Sequence, residues 1–387
     1  MRVVVFAEIS LAECAGPAVH LAELSSALQR AGAEVGLVVP RLGRYKGEIG
    51  CGVAYVPTLR RRGLTRPLFH LLAPFYLIPR ILRADVVYTR ASYYTLTAAL
   101  LARILRKPHV AEVNGLFRED LQDGKRGRLV RGLCDLTERL TYRNSETVIC
   151  VSDGIADTLA QRFDLPSDRF VTIPNGVNAE VFAPTDREKA RRDLRLPASA
   201  PLAVYVGSLE RWQGLDMLAD VAPAVSAALP QARFVIVGSG TYAAQMRSAV
   251  ETKGLGQSFI FAGERPPAEC ARYIAAADLC LAPLYHCSTS GVGLSLVKPL
   301  AYMACGRAVL AFALPGSEYI GRVGGGTLAP PADARAYAEA LARMLGDREG
   351  CDRMGKKGRR YVLAQRTWER VAQATLDVLS RAVEERG

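Results

Sequence analysis

Short β-branched runs alternate with longer helical patterns along this chain, and the alternation occurs twice. In the first half, strand-like runs fall at residues 3–6, 35–39, 86–88, 110–113 and 148–151, with helical patterns at 19–31 and 96–105. Strand, helix and strand in succession make a β-α-β unit, and serial units set their strands parallel. The rhythm loosens over residues 174–201, where Asn175, Gly176, Pro184 and a charged stretch at 185–195 read as a connector. It restarts with runs at 202–206, 234–237, 259–261, 279–282 and 308–312. The expectation is an α/β chain of two Rossmann-like doubly wound domains facing across a cleft, with ligands at the carboxyl ends of the strands. The boundaries are drawn at 1–183 and 184–366, and residues 367–387 are read as a helix crossing back to the first domain. Half of the 387 residues are apolar, enough for a core in each domain.

The net charge of +12 favours anionic partners: phosphorylated ligands, nucleic acid or acidic headgroups. Two basic clusters stand out, Arg60-Arg61-Arg62 and Lys125, Arg126, Arg128 and Arg131. Neither interleaves aromatic residues, which argues against nucleic acid. The nine cysteines are odd in number and scattered, with no C-x-x-C pair, so a reducing compartment is expected and a metal site is not. The amino terminus has no charged head followed by a long apolar run, and the protein is read as cytoplasmic. Residues 64–82 are largely apolar but interrupted by Arg66, Pro67, His70, Pro74, Pro79 and Arg80, too broken for the roughly 20 apolar residues a membrane span needs. Together with the basic clusters they raise the expectation of peripheral contact with anionic membrane at its inner face, where a lipid-linked acceptor is reached.

Three glycine-containing segments suit anions. Gly16 stands between the first strand and an amphipathic helix, and Gly238 follows the strand at 234–237. A glycine there lets backbone N–H groups approach a phosphate at the positive end of a helix, although each segment alone also fits an ordinary tight turn. The third runs from Ser288 through Thr289, Ser290, Gly291, Gly293 and Ser295 into a short helix ended by Gly306, with Lys298 in its first turn. Pro299 is tolerated only in that first turn, so the helix is expected to begin no earlier than about Ser295.

Taken together, the segments at 202–214, 238–240, 261–263, 275–278 and 302–309 resemble, in order and spacing, the donor domain of family-four retaining glycosyltransferases of the GT-B fold, the group 1 type. Residues 15–20, Val151-Ser152 and 173–177 resemble the same family's acceptor domain and interdomain strand. The resemblance implies transfer of a sugar from a nucleoside diphosphate sugar to a small-molecule or lipid-linked acceptor, with retention of anomeric configuration and with neither cofactor nor metal. No D-x-D occurs, in keeping with that. On the acceptor side it points to Glu112, Asn114 and His20 as catalytic or orienting residues, with structural roles for Glu112 and His20 left open. On the donor side it points to Gly16, Ser208, Arg211, Gly238, Arg265, Ser290, Gly291, Ser295 and Lys298. Glu318 resembles a turn residue of the donor domain or serves as a helix cap.

The departures are specific. Where the family presents an Arg and a Lys for the diphosphate, this chain has Ser208 and Gln213, and Arg211 and Lys298 are the nearest replacements. Where it presents two glutamates, this chain has Gly293 and Ala301, so the donor hydroxyls are expected to rest on Ser288, Thr289, Ser290, Ser295 and nearby N–H groups. Two other readings follow from those substitutions: an inert GT-B protein that binds a nucleotide or partner, and a sugar-nucleotide epimerase.

Overall fold

The computed structural model describes residues 1–11, 16–43, 49–59, 61, 64–92, 95–116, 125–284, 292–293 and 295–386, without the side chains of 125–129. The chain forms two compact units, Met1–Asn175 with Trp368–Gly387, and Gly176–Thr367. The division falls at residue 175, ahead of the sequence boundary at 183, and the last helix belongs to the first unit.

The first unit is built on seven parallel strands: β1 Arg2–Ala7, β2 Glu34–Arg41, β3 Gly52–Pro57, β4 Val86–Arg90, β5 His109–Val113, β6 Thr147–Cys150 and β7 Phe170–Thr172. Their order is β3-β2-β1-β4-β5-β6-β7. Alternate residues of β1 feed opposite faces, as the period of two requires. Val3, Val5 and Ala7 pack with Leu21, Leu24 and Leu28 of the helix Gly16–Arg30 and with Val371 and Leu379 of the helix Trp368–Glu384. Val4 and Phe6 pack with Phe69, Ala73 and Leu77 of the helix Thr65–Ile81. That helix is continuous through Pro74 and Pro79, so the segment that reads as broken in sequence is one element of 17 residues. Among the described residues no helix is long and apolar enough to cross a membrane.

The second unit has six strands: β8 Leu202–Val206, β9 Arg233–Val237, β10 Phe259–Gly263, β11 Leu279–Ala282, β12 Val309–Phe312 and β13 Gly326–Ala329, in the order β10-β9-β8-β11-β12-β13. A buried ionic knot ties its leading helix, Arg187–Asp193, to the sheet. Arg191 Nη2 meets Asp278 Oδ2 at 2.6 Å, and the same oxygen accepts from the Leu202 amide at 2.8 Å. In both sheets the strand order reverses beside the first strand of the unit, between β1 and β4 and between β8 and β11. In open α/β sheets ligands bind at the carboxyl edge of such a switch point.

Candidate functional site

At the switch point of the first unit five polar side chains converge. The helix Gly16–Arg30 leaves β1 and brings His20 inward one turn later, with Gly16 exposed at its start and open space around it. His20 Nε2 lies 2.9 Å from Glu112 Oε1, and both residues are buried. Glu112 is in register with Arg90, the last residue of β4, which is buried beside it. Desolvation raises the Glu112 pKa, while the nearby Arg90 charge and the polar groups of Asn114 and Tyr88 hold it down. Burial, then the Arg90 charge, drives the His20 pKa well below its usual value. The imidazole is therefore neutral at pH 7, donates from Nε2 to the carboxylate, and keeps Nδ1 as an acceptor without a partner among the described residues. Trp368 packs edge-on against the ring at 5.0 Å, which fixes its plane. The three expected acceptor-side residues, His20, Glu112 and Asn114, are thus brought together, and Tyr88, Arg90 and Trp368 join them. Strand register and a residue from the far end of the chain supply those three, and neither leaves a local sequence signal.

A second polar group stands beside it at the end of β1. Glu8, with a buried side chain, meets Arg66 Nε at 2.7 Å and accepts from Ser92 Oγ at 2.8 Å.

In the second unit the chemistry gathers at the carboxyl end of β8. The helix Val297–Ala304 is pinned there by Tyr302, whose hydroxyl accepts from the Val206 amide and donates to the Val206 carbonyl, each at 3.0 Å. This sets Lys298 over Gly207. A Cβ on Gly207 would lie 2.1 Å from Lys298 Cε, so glycine is what lets the lysine stem pass. The ammonium donates to Gln213 Oε1 at 2.5 Å and stands 5.7 Å from the centres of both the Tyr205 and the Trp212 rings. Lys298 keeps some surface overall, but its ammonium is desolvated enough to bring its pKa from 10.5 to about 7. Gln213, buried at a seat where the resemblance implies a cation, instead holds a cation delivered by another element.

The remaining donor-side residues are distributed as follows. Ser208 and Arg211 are exposed on the loop after β8, with Arg211 opening the turn that carries Gln213. Gly238 has φ +139°, and a Cβ there would lie 1.9 Å from the Gly207 carbonyl oxygen. Its bare backbone serves contact between the two loops: Gly207 N donates to Val237 O at 3.0 Å and Leu209 N to Ser239 O at 2.8 Å. Arg265 is engaged locally, by the Ala262 carbonyl at 3.0 Å and by Glu269 at 3.5 Å. Ser295 lies just ahead of the helix, which begins at Val297; Gly306 ends it with φ +71°. Ser288, Thr289, Ser290 and Gly291 lie outside the described residues. Ala301 is 7% exposed and belongs to the apolar cluster of Leu300, Tyr302 and Ile274. The Glu318 carboxylate accepts from the Gly316 amide at 2.8 Å, a bond within the turn that leads into the helix Glu318–Arg322, which has no side-chain cap. Among the described residues no group of His, Cys, Asp and Glu is placed to hold a metal ion.

Two doubly wound units in tandem are the architecture of the GT-B fold. Residues 15–181 match the family model described as Glycosyltransferase Family 4, and residues 200–347 match the one described as Glycosyl transferases group 1. The chain belongs to this family, the group 1 glycosyltransferases of family four. It is 28% identical to the 2-deoxystreptamine N-acetyl-D-glucosaminyltransferase of Streptomyces fradiae, over 70% of this chain and 65% of that protein. It is 26% identical to the alpha-maltose-1-phosphate synthase of Mycolicibacterium smegmatis, over 94% of each. The match to the first of these spans just under two thirds of that relative. HepE of Anabaena, solved in complex with UDP, shares the fold with a TM-score of 0.77 at 18% identity, over 98% of this chain and 100% of that one.

Proposed function

We propose that the protein transfers a sugar from a nucleoside diphosphate to an acceptor nucleophile, with retention at the anomeric carbon and without a metal ion. The observation that carries this reading is Lys298, a desolvated ammonium held by Gln213 at the carboxyl end of β8. As the bond from anomeric carbon to phosphate oxygen breaks, negative charge grows on the departing diphosphate, and a preorganised cation there stabilises the transition state more than the ground state. Arg211, exposed one turn away, adds a second positive charge on ligand binding. The new bond forms from the acceptor oxygen, nitrogen or sulfur to the anomeric carbon on the face the diphosphate leaves, and the acceptor proton passes to the diphosphate. HepE carries UDP, and two relatives bear names of sugar-transferring enzymes, which supports a nucleotide-linked donor.

In the first unit, His20 and Glu112 orient the acceptor: the unpartnered Nδ1 accepts a hydrogen bond from a hydroxyl while the carboxylate fixes the ring. The acceptor is a small molecule or the head of a lipid. The seven described cysteines are free thiols, which supports action in the reducing cytoplasm. A panel of UDP-, GDP- and ADP-sugars with and without acceptors, with chelator present, tests the reading. Release of nucleoside diphosphate together with NMR of the product's anomeric proton reads both turnover and stereochemistry. Inversion, or activity lost to chelator and restored by metal, sinks the mechanism.

The buried Ala301 favours a second reading, an inert chain that binds nucleotide without turnover. Nucleotide binding with no release from any donor would establish it, and altered donor sugar without acceptor would establish an epimerase.

A further inference from the structure

One layer of helices on the first unit ends in an apolar outer face. In the helix Thr65–Ile81, Phe69, Ala73, Leu77 and Ile81 enter the core. Leu71, Phe75, Ile78 and Leu82, by contrast, are 70%, 75%, 37% and 58% exposed. At about 100° per residue these four project within about 60° of one another, a single stripe along the helix. The neighbouring helix Leu96–Ile104 packs against this one and adds Ile104, 72% exposed. A stripe of this extent on a folded surface marks an interaction face.

Charge decides what covers it. Residues 59–107 hold ten Lys and Arg, of which Arg90 is buried and Arg66 pairs with Glu8, against a single acid, Asp85, and Asp85 is tied to Arg2 through its amide at 2.7 Å. Helices that follow parallel strands all return in one direction, so their carboxyl ends share an edge. Exposed Arg83, Arg103 and Arg106 lie just there, at or beyond the ends of Thr65–Ile81 and Leu96–Ile104. An apolar stripe with a basic margin and almost no acid is the composition of a helix that lies in a membrane interface.

We propose that this face docks on an anionic lipid bilayer, with Leu71, Phe75, Ile78 and Leu82 entering the acyl boundary and the arginines meeting lipid phosphates. The docking is independent of the donor site and of the transfer reaction. The test is flotation of the full chain with vesicles of phosphatidylcholine, alone or mixed with phosphatidylglycerol. Wild type should float with the mixed vesicles at low salt and detach partly at about 1 M salt, where the Debye length is about 3 Å. Leu71→Ser/Phe75→Ser removes exposed side chains only, so the fold is kept, and the partition coefficient should fall about tenfold or more. Leu363→Ser, exposed in the second unit, should change nothing. Wild type left in the buffer with mixed vesicles at low salt overturns the proposal, as does a double variant that floats like wild type. Concentration-dependent dimers lost in Phe75→Ser, without vesicle binding, would show that a second copy covers the face instead.

Discussion

Replacing Lys298 by Met keeps an unbranched stem and removes the charge, and its effects on stability and binding separate cleanly. In the free protein two terms oppose each other. Gln213 loses its partner at 2.5 Å, and leaving its buried oxygen unpaired costs about 1–3 kcal/mol. Against this, the wild-type lysine has its pKa drawn from 10.5 to about 7 by desolvation. Between those values the folded state binds fewer protons than the unfolded one, so wild-type stability rises with pH across the window and the full penalty is felt below about pH 7. The variant escapes that penalty. Its stability relative to wild type should therefore be best below about pH 7, where the wild-type penalty is full, and decline as the pH rises from about 7 toward 10.5. Binding has no such offset. A lost charged hydrogen bond to the diphosphate is worth about 1.5–3 kcal/mol, or about tenfold to 150-fold in affinity. Bound diphosphate favours the protonated ammonium, so wild-type affinity should fall above pH 7 at a rate approaching tenfold per pH unit. Calorimetric titration with UDP, GDP and ADP between about pH 6 and 9 measures both effects. A Met variant with wild-type affinity, or a wild-type profile flat across that range, refutes the assignment of Lys298 to the diphosphate.

Both loop glycines should be costly to replace. Gly207→Ala, at φ +158°, sets a Cβ 2.1 Å from Lys298 Cε and 3.1 Å from the Tyr205 hydroxyl, so nucleotide affinity and melting temperature should both drop. Gly238→Ala drives a Cβ into the Gly207 carbonyl at φ +139° and should cost at least about 2 kcal/mol in urea denaturation. Glu112→Gln leaves buried Arg90 without its counter-charge, a loss of about 3–5 kcal/mol, whereas Arg90→Met/Glu112→Met should recover most of that stability yet remain unable to use acceptor, as initial rates would show. Ala301→Glu, which would restore a family carboxylate, buries it among Leu300, Tyr302 and Ile274; a lower melting temperature without tighter nucleotide binding is expected, and tighter binding at unchanged stability would show that the carboxylate reaches the ligand.

Much of the fold was legible because central parallel strands are buried on both faces and must be apolar throughout. The run at residues 3–6, fully buried in β1, announces itself in this way. The strands that escaped notice, β3, β7 and β13, lie at sheet edges and carry half-buried positions, so their composition need not be apolar. The helix Thr65–Ile81 was obscured by Pro74 and Pro79, whose local cost is outweighed by the core contacts of Phe69, Ala73 and Leu77. In the site, Lys298 could be singled out from its place in the first turn after a Gly- and Ser-rich stretch. Its bond to Gln213, 85 residues earlier in the chain, could not, because only the docking of Tyr302 on β8 brings the two together. The pairing of Glu112 with Arg90 is likewise a matter of strand register, which a single sequence does not display.

The exchange of cations for Ser208 and Gln213 has a physical consequence beyond weaker binding. Two guanidinium or ammonium groups fixed close together repel one another whenever the diphosphate is absent, and an arginine cannot relieve this by losing its proton. Here the seat holds an amide, which costs nothing electrostatically when empty, and it receives one lysine from the helix Val297–Ala304. With its pKa at about 7, that lysine sheds its proton in a substantial fraction of empty molecules and regains it as the anion arrives. On the proposed reading, donor binding is coupled to uptake of a proton, and release of nucleoside diphosphate to its loss. The coupling should be visible as a dependence of the binding enthalpy on the buffer's ionisation enthalpy near neutral pH. A buffer-independent enthalpy in wild type, equal to that of Lys298→Met, would mean that the ammonium is already charged in the empty site and that Gln213 holds a permanent cation.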